Sequence, residues 1–135
     1  MKVVVDTNLM LVMLSEKSVD HDLFLALLNG EYEVCVTPDI LLEYEEIIAR
    51  KNGPAIASAA IELLVSLPNV HFINRYFHWN LITADPDDNK FVDCAIAADT
   101  QFLVSDDRHF QILKTVEFPK VEVIDKLQFR EKLQL

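Results

Sequence analysis

Short apolar runs alternate along this chain with stretches of helical spacing, and that alternation constrains its fold more than any other feature. Val3 to Val5, Tyr32 to Val36, Val70 to Ile73, Phe102 to Val104 and Val121 to Ile124 each read as a strand. Between the first two, Leu9, Met10, Val12, Met13 and Leu14 follow Thr7-Asn8 with helical spacing. Phe24, Leu25, Leu27 and Leu28 form a second helix, which Asp20 can cap and Asn29-Gly30 closes. Thr37-Pro38 opens a helix expected to run to about Lys51. Asn52-Gly53-Pro54 breaks it, and Ala55 to Leu67 forms the next, stopped by Pro68. Phe91 to Ala98 reads as a helix and Phe110 to Leu113 as a short one, and Asp125 caps a terminal helix carrying Leu127, Phe129 and Leu133. Strands alternating with helices imply right-handed crossovers and a parallel sheet covered on both faces. The expectation is a single α/β domain over residues 1–135, three-layered α/β/α, with a central parallel sheet of about five strands.

In such a sheet the functional crevice lies outside the carboxyl ends of the strands. Asp6 ends the first apolar run and Asp107 follows the fourth, while Glu43 and Asp93 lie within helical patterns that topology brings toward the same edge. Two like charges about 5 Å apart repel by roughly 3 kcal/mol at an effective dielectric near 20. Protons or a divalent cation must therefore neutralise four carboxylates in one crevice. Oxygen-only ligation suits Mg²⁺ or Mn²⁺. Zinc is disfavoured, because Cys35 and Cys94 are isolated and His21, His71, His78 and His109 form no paired motif.

Each acid also has a plainer reading. Asp6 serves equally as a helix N-cap, and Asp107, beside Ser105 and Asp106, as a cap before the segment at Phe110. Glu43 borders the apolar face marked by Ile40 and Ile47, and Glu46, one turn on, can assist or replace it. Asp93 shares a polar sector with Asn89, Lys90 and Thr100 that reads equally as a solvated face. The stretch from Asn74 to Asp88 has no clear period. It contains Tyr76, Phe77, His78 and Trp79, ends in Asp85-Pro86-Asp87-Asp88, and is long enough to suggest a functional loop.

At 135 residues and 51% hydrophobic content the chain is sized for one packed core. The opening apolar stretch is too short for a signal peptide and no segment reaches the roughly 20 apolar residues of a membrane span, so the expectation is a cytoplasmic protein with reduced cysteines and no membrane association. A net charge of −10 argues against strong non-specific nucleic-acid binding, and a basic partner protein is an equally natural reading of that surface. With Gly30 and Gly53 the only glycines, there is no glycine-rich phosphate loop.

The opening strand with Asp6-Thr7-Asn8, the helix around Leu42-Glu43-Tyr44, the segment Asp85 to Ala95, and Leu103 to Phe110 together resemble PIN-domain ribonucleases. The likeness is nearest to the bacterial and archaeal proteins grouped as toxins of toxin-antitoxin pairs, related to the VapC type. The resemblance implies that Asp6, Glu43, Asp93 and Asp107 stand at the family's metal-binding acids and Asn8 at the polar position supporting the first. Asp88-Asn89 matches a sub-family feature before the third acid. Asp106 stands where many relatives carry glycine or arginine and competes with Asp107 as ligand; His109 stands where many carry a further acid. The implied activity is endonucleolytic hydrolysis of RNA by a water activated on one or two Mg²⁺ or Mn²⁺ ions, with a basic antitoxin as partner and a homodimer as the expected assembly. Two alternatives stand beside it. One is a PIN-like interaction module that docks a basic protein on its acidic surface or assembles through the apolar loop around Trp79. The other is a Mg²⁺-dependent phosphatase or phosphoryl-transfer domain on another α/β scaffold, although Asn8 stands where a dehalogenase-like phosphatase wants a second aspartate.

Overall fold

A computed structural model describes residues 1–74 and 77–135. Strand β1 (Lys2–Val5) is followed by α1 (Thr7–Leu14), α2 (His21–Leu28), β2 (Glu33–Val36), α3 (Pro38–Asn52), α4 (Pro54–Ser66) and β3 (Val70–Phe72). The remainder comprises a 3₁₀ turn at Pro86–Asp88, α5 (Asn89–Ala98), β4 (Phe102–Val104), a 3₁₀ helix at Arg108–Thr115, β5 (Val123–Ile124) and α6 (Lys126–Leu133). The strands form one parallel sheet in the order β3-β2-β1-β4-β5, with helices on both sides. Val3 to Val5 have no solvent exposure, as expected of a central strand whose two faces are both covered.

Strand order decides where chemistry can sit. From β1 the chain builds outward through β2 and β3, then crosses back to place β4 on the other side of β1, in register Val3 with Phe102 and Val5 with Val104. The switch point therefore lies between the carboxyl ends of β1 and β4, and the residues that leave those ends are Asp6 and Ser105 to Asp107. Tyr44, fully buried on α3, donates its hydroxyl to the Val5 carbonyl and so fixes the glutamate helix to the same edge.

Several details depart from the sequence-based expectation. Asp20 does not cap α2: its side chain receives Lys126 Nζ at 2.9 Å and an Arg130 guanidinium nitrogen at 3.3 Å, charge-assisted bonds from α6 that outcompete a neutral backbone donor. The segment at Phe110 is 3₁₀ rather than α-helical, and its buried residues Phe110 and Leu113 are spaced by three, the period of that helix. The last strand shortens to two residues. The polar sector of α5 faces inward: Asn89 and Asp93 are buried. Asn89 takes the Ile82 N–H at 2.9 Å and donates to its carbonyl at 2.8 Å, pinning the long loop to the helix. Two positions of that loop, Arg75 and Tyr76, lie outside the described residues. Among the described residues no helix is long and apolar enough to cross a membrane.

Tyr44→Phe removes the hydroxyl that donates to the Val5 carbonyl while preserving volume, leaving a buried acceptor with one partner fewer. Urea denaturation is expected to show a loss of about 1–2 kcal/mol with an unchanged m-value; no loss would mean the bond contributes nothing net.

Candidate metal centre

Asp6 is 6% exposed and is held at both oxygens. Oδ1 accepts the Leu9 N–H at 2.9 Å, so the carboxylate caps α1, and Oδ2 accepts the Ser105 hydroxyl from the end of β4. The cap and the site are thus one arrangement, made from the two central strands. Burial pushes the Asp6 carboxyl up to about 6; the charges of Asp106 and Asp107 add to this, against the hydrogen bonds of Ser105 and Leu9.

Asp107 follows by two residues. Its N–H donates to Ser105 Oγ at 2.9 Å, and its Oδ1 accepts the His109 N–H at 2.9 Å, capping the 3₁₀ helix. Asp106 turns elsewhere and accepts the Lys126 N–H at 2.9 Å at the start of α6. A cleft of about 250 Å³ at this edge is lined by Asp6, exposed Asn8, Val12, Asp106, Asp107 and Lys126.

Glu43 and Asp93 do not line that cleft. Glu43 receives the hydroxyl of Thr7, the neighbour of Asp6, and the Lys90 ammonium at 2.8 Å. Asp93, 2% exposed, takes the Trp79 N–H at 3.2 Å, with His78 Nδ1 at 3.8 Å. Glu46 is exposed and paired with Arg50 at 3.0 Å, a helical i,i+4 contact.

Asp85, Asp88 and His109 form the group whose ligand atoms all lie within 4.8 Å of one another. His109 Nδ1 stands 3.2 Å from Asp88 and 3.6 Å from Asp107, linking this group to the cleft. Burial raises the Asp88 carboxyl above its usual range, helped by the charges of Asp85 and Asp107 and opposed by the His109 hydrogen bond. Asp85 and Lys90 were not singled out as site residues by sequence. The spacing Asp85-x-x-Asp88, one 3₁₀ turn, was a usable signal for the first, whereas nothing local marks Lys90 as the partner of Glu43.

The donor set fits a hard divalent cation. Its oxygens are carboxylates at the mouth of a parallel sheet, and Asp6 in particular is buried and resists ionisation, which a cation reverses. Among the described residues, Asp85, Asp88 and His109 are the group whose ligand atoms come together, whereas Asp6 and Asp107 are linked through Ser105 and form no such group with Glu43 and Asp93.

A family profile described as PIN domain matches residues 2–109. No curated protein matches the chain. Among solved structures, the fold is similar to a chain of VapBC2 from Rickettsia felis, a complex bound to a DNA fragment from its promoter, with TM-score 0.65, 14% identity and coverage of 93% of this chain and 98% of that one. It is also similar to a chain of DNA-bound VapBC from Salmonella typhimurium, with TM-score 0.62, 20% identity and the same coverages of 93% and 98%.

The raised Asp6 carboxyl has a signed consequence. Between the ordinary 3.8 and about 6 the folded, metal-free protein holds a proton that the unfolded chain releases. Its contribution is complete below the lower value and is lost as pH rises through the upper one. Asp6→Asn keeps a capping oxygen and cannot ionise. In EDTA it is expected to exceed the wild type in stability by up to roughly 3 kcal/mol near pH 8 and by much less near pH 4. A difference that does not change with pH refutes the assignment.

Proposed function

The chain belongs to the PIN-domain family, and from that premise we propose that it is a Mg²⁺- or Mn²⁺-dependent endoribonuclease acting as the toxin of a toxin-antitoxin pair. The observation that carries this is the buried Asp6 carboxylate, joined through Ser105 to the turn that presents Asp107 at the switch point between β1 and β4. Asp6, Glu43, Asp93 and Asp107 are the proposed ligands. A divalent ion held there supplies an activated water for attack on phosphorus and offsets charge on the departing oxygen.

The remaining work falls to neighbouring groups. Ser105 and the Leu9 amide fix the Asp6 oxygens, the His109 amide fixes Asp107, and the Trp79 amide fixes Asp93. Thr7 and Lys90 hold Glu43, and Lys90 offsets its charge. No side-chain nucleophile is required.

A partner protein is supported independently. Leu11, Val12, Phe24, Leu25, Ile56 and Leu63 line an open groove of about 1050 Å³ between the α1–α2 and α3–α4 pairs. Such a groove suits the apolar face of an amphipathic helix, and a net charge of −10 suits a basic one. The two VapBC structures of similar fold are toxin-antitoxin complexes, which is consistent with that partner.

Cleavage of RNA is expected to require Mg²⁺ or Mn²⁺ and to stop with EDTA. Asp6→Asn and Asp107→Asn should each reduce it by more than about 100-fold with the fold intact by circular dichroism. Ser105→Ala, which loses the two supporting bonds to Asp6 and from the Asp107 amide, should fall within the roughly 10–100-fold typical of groups that orient metal ligands. A full-rate Asp6→Asn enzyme would sink the proposal.

A further inference from the structure

We propose that Phe77, Trp79 and Phe118 form a stacking platform next to Asp93, so that unpaired bases of the RNA are held by ring contacts more than by phosphate contacts. The inference rests on the ribonuclease reading and deepens it. Phe77 is 64% exposed and Phe118 83% exposed, although burial would stabilise both rings. Half-buried Trp79 lies between them, its centroid 4.8 Å from Phe77 at 41° and 6.3 Å from Phe118 at 89°. The three rings come from two separate segments, so their meeting is a product of the tertiary fold.

Position separates this patch from a chance apolar surface. The Trp79 N–H binds Asp93 Oδ1 at 3.2 Å, and the same loop is pinned to α5 by both Ile82 bonds to Asn89. The backbone that carries Trp79 is therefore tied directly to a proposed metal ligand. Exposed Lys114 and Lys120 bracket Phe118 in sequence, with Glu117 the one acid between them, which suits a phosphate chain better than the acidic remainder of the surface does. Stacking also resolves a conflict of charge: a chain at −10 cannot rely on phosphate neutralisation, whereas ring stacking accepts any base and needs few cations. Duplex RNA, with its bases inside an A-form helix, has no free face to offer.

Trp79 is the chain's single tryptophan, so its fluorescence reports the platform directly. The full-length protein is titrated in EDTA with a short single-stranded RNA and with the same sequence as a duplex. Single strand is expected to quench fluorescence saturably and duplex to do so weakly. Raising salt from about 50 to 200 mM should cost less than about tenfold in affinity, far below the 10³–10⁵ of a protein making many phosphate contacts. Phe77→Ala and Phe118→Ala should each weaken binding at least about fivefold, with Phe118→Tyr retaining it, and in the metal-supported cleavage assay both should raise KM with kcat little changed. Phe118 is almost fully exposed, so its loss does not threaten folding. Equal quenching by duplex, or unchanged affinity and KM in both alanine variants of an enzyme that still cleaves RNA, overturns the platform and leaves the ribonuclease reading standing. Quenching lost in the variants of a protein that cleaves no RNA does the reverse. If Phe118→Ala alters the sedimenting mass and not RNA affinity, the patch belongs to a second copy and the proposal fails.

Discussion

A carboxylate at the end of a strand with no solvent exposure is the constraint around which the rest of this molecule is arranged. Val3 to Val5 must be buried for the sheet to have a centre, and Asp6, one residue later, is carried into the same low-dielectric surroundings. Left alone, an ionised group there is costly. The fold answers by closing its oxygens with the Leu9 amide and the Ser105 hydroxyl, which requires α1 to begin at Thr7 and β4 to end beside β1. These bonds position the carboxylate without fully restoring its acidity, since burial outweighs them. A group held in place yet reluctant to ionise is prepared for a cation, and this one is also a helix cap. The two roles do not compete, because each carboxylate oxygen has two lone pairs and the cap takes one of the four.

The neighbouring acids are held by other groups of the protein in different ways. Lys90, mostly buried on α5, contacts Glu43 at 2.8 Å, while His109 lies between Asp88 and Asp107. Asp106 is satisfied by the amide of Lys126 and leaves Asp107 with the Ser105 turn. The acids therefore form a chain of locally compensated contacts around a small cleft, wider than a single tight coordination shell. Asp6 and Asp107 meet through Ser105; Glu43 reaches Asp6 through Thr7; Asp93 is anchored from the loop side by Trp79.

How much of this was legible in the sequence depended on whether the determining contact was local. The strands could be read because burial on both faces leaves continuous apolar runs, and α3 and α6 because Thr37 and Asp125 cap them by bonds to residues three positions on. The order of strands placed Asp6 and Asp107 at one edge, since each directly follows a strand. The inward face of α5 was not legible: Asn89 and Asp93 are polar, and their partners are backbone amides of an irregular loop that has no period. Asp20 read as a cap and proved to be an ion-pair partner of α6, a contact spanning more than a hundred residues. The grouping of Asp85 and Asp88 with His109 likewise depends on a loop meeting the segment after β4.

That loop is where the acidic character of the chain and a nucleic-acid substrate become compatible. Asn89 and Asp93 spend buried polar atoms on holding Ile82 and Trp79, and Ile82, 2% exposed, plugs the core beneath them. The loop is thus anchored from below by one apolar side chain and two polar ones, while Phe77 stays largely exposed and Trp79 half-buried. Rings on a fixed support lose little entropy on stacking, because the cost of ordering them was met in folding. A surface that repels phosphate over most of its area then favours ligands that approach where the rings and the proposed metal-binding acids are neighbours, and disfavours them elsewhere. On this view the net negative charge is a source of selectivity in a nuclease, discriminating against long duplexes that bind through their backbones alone.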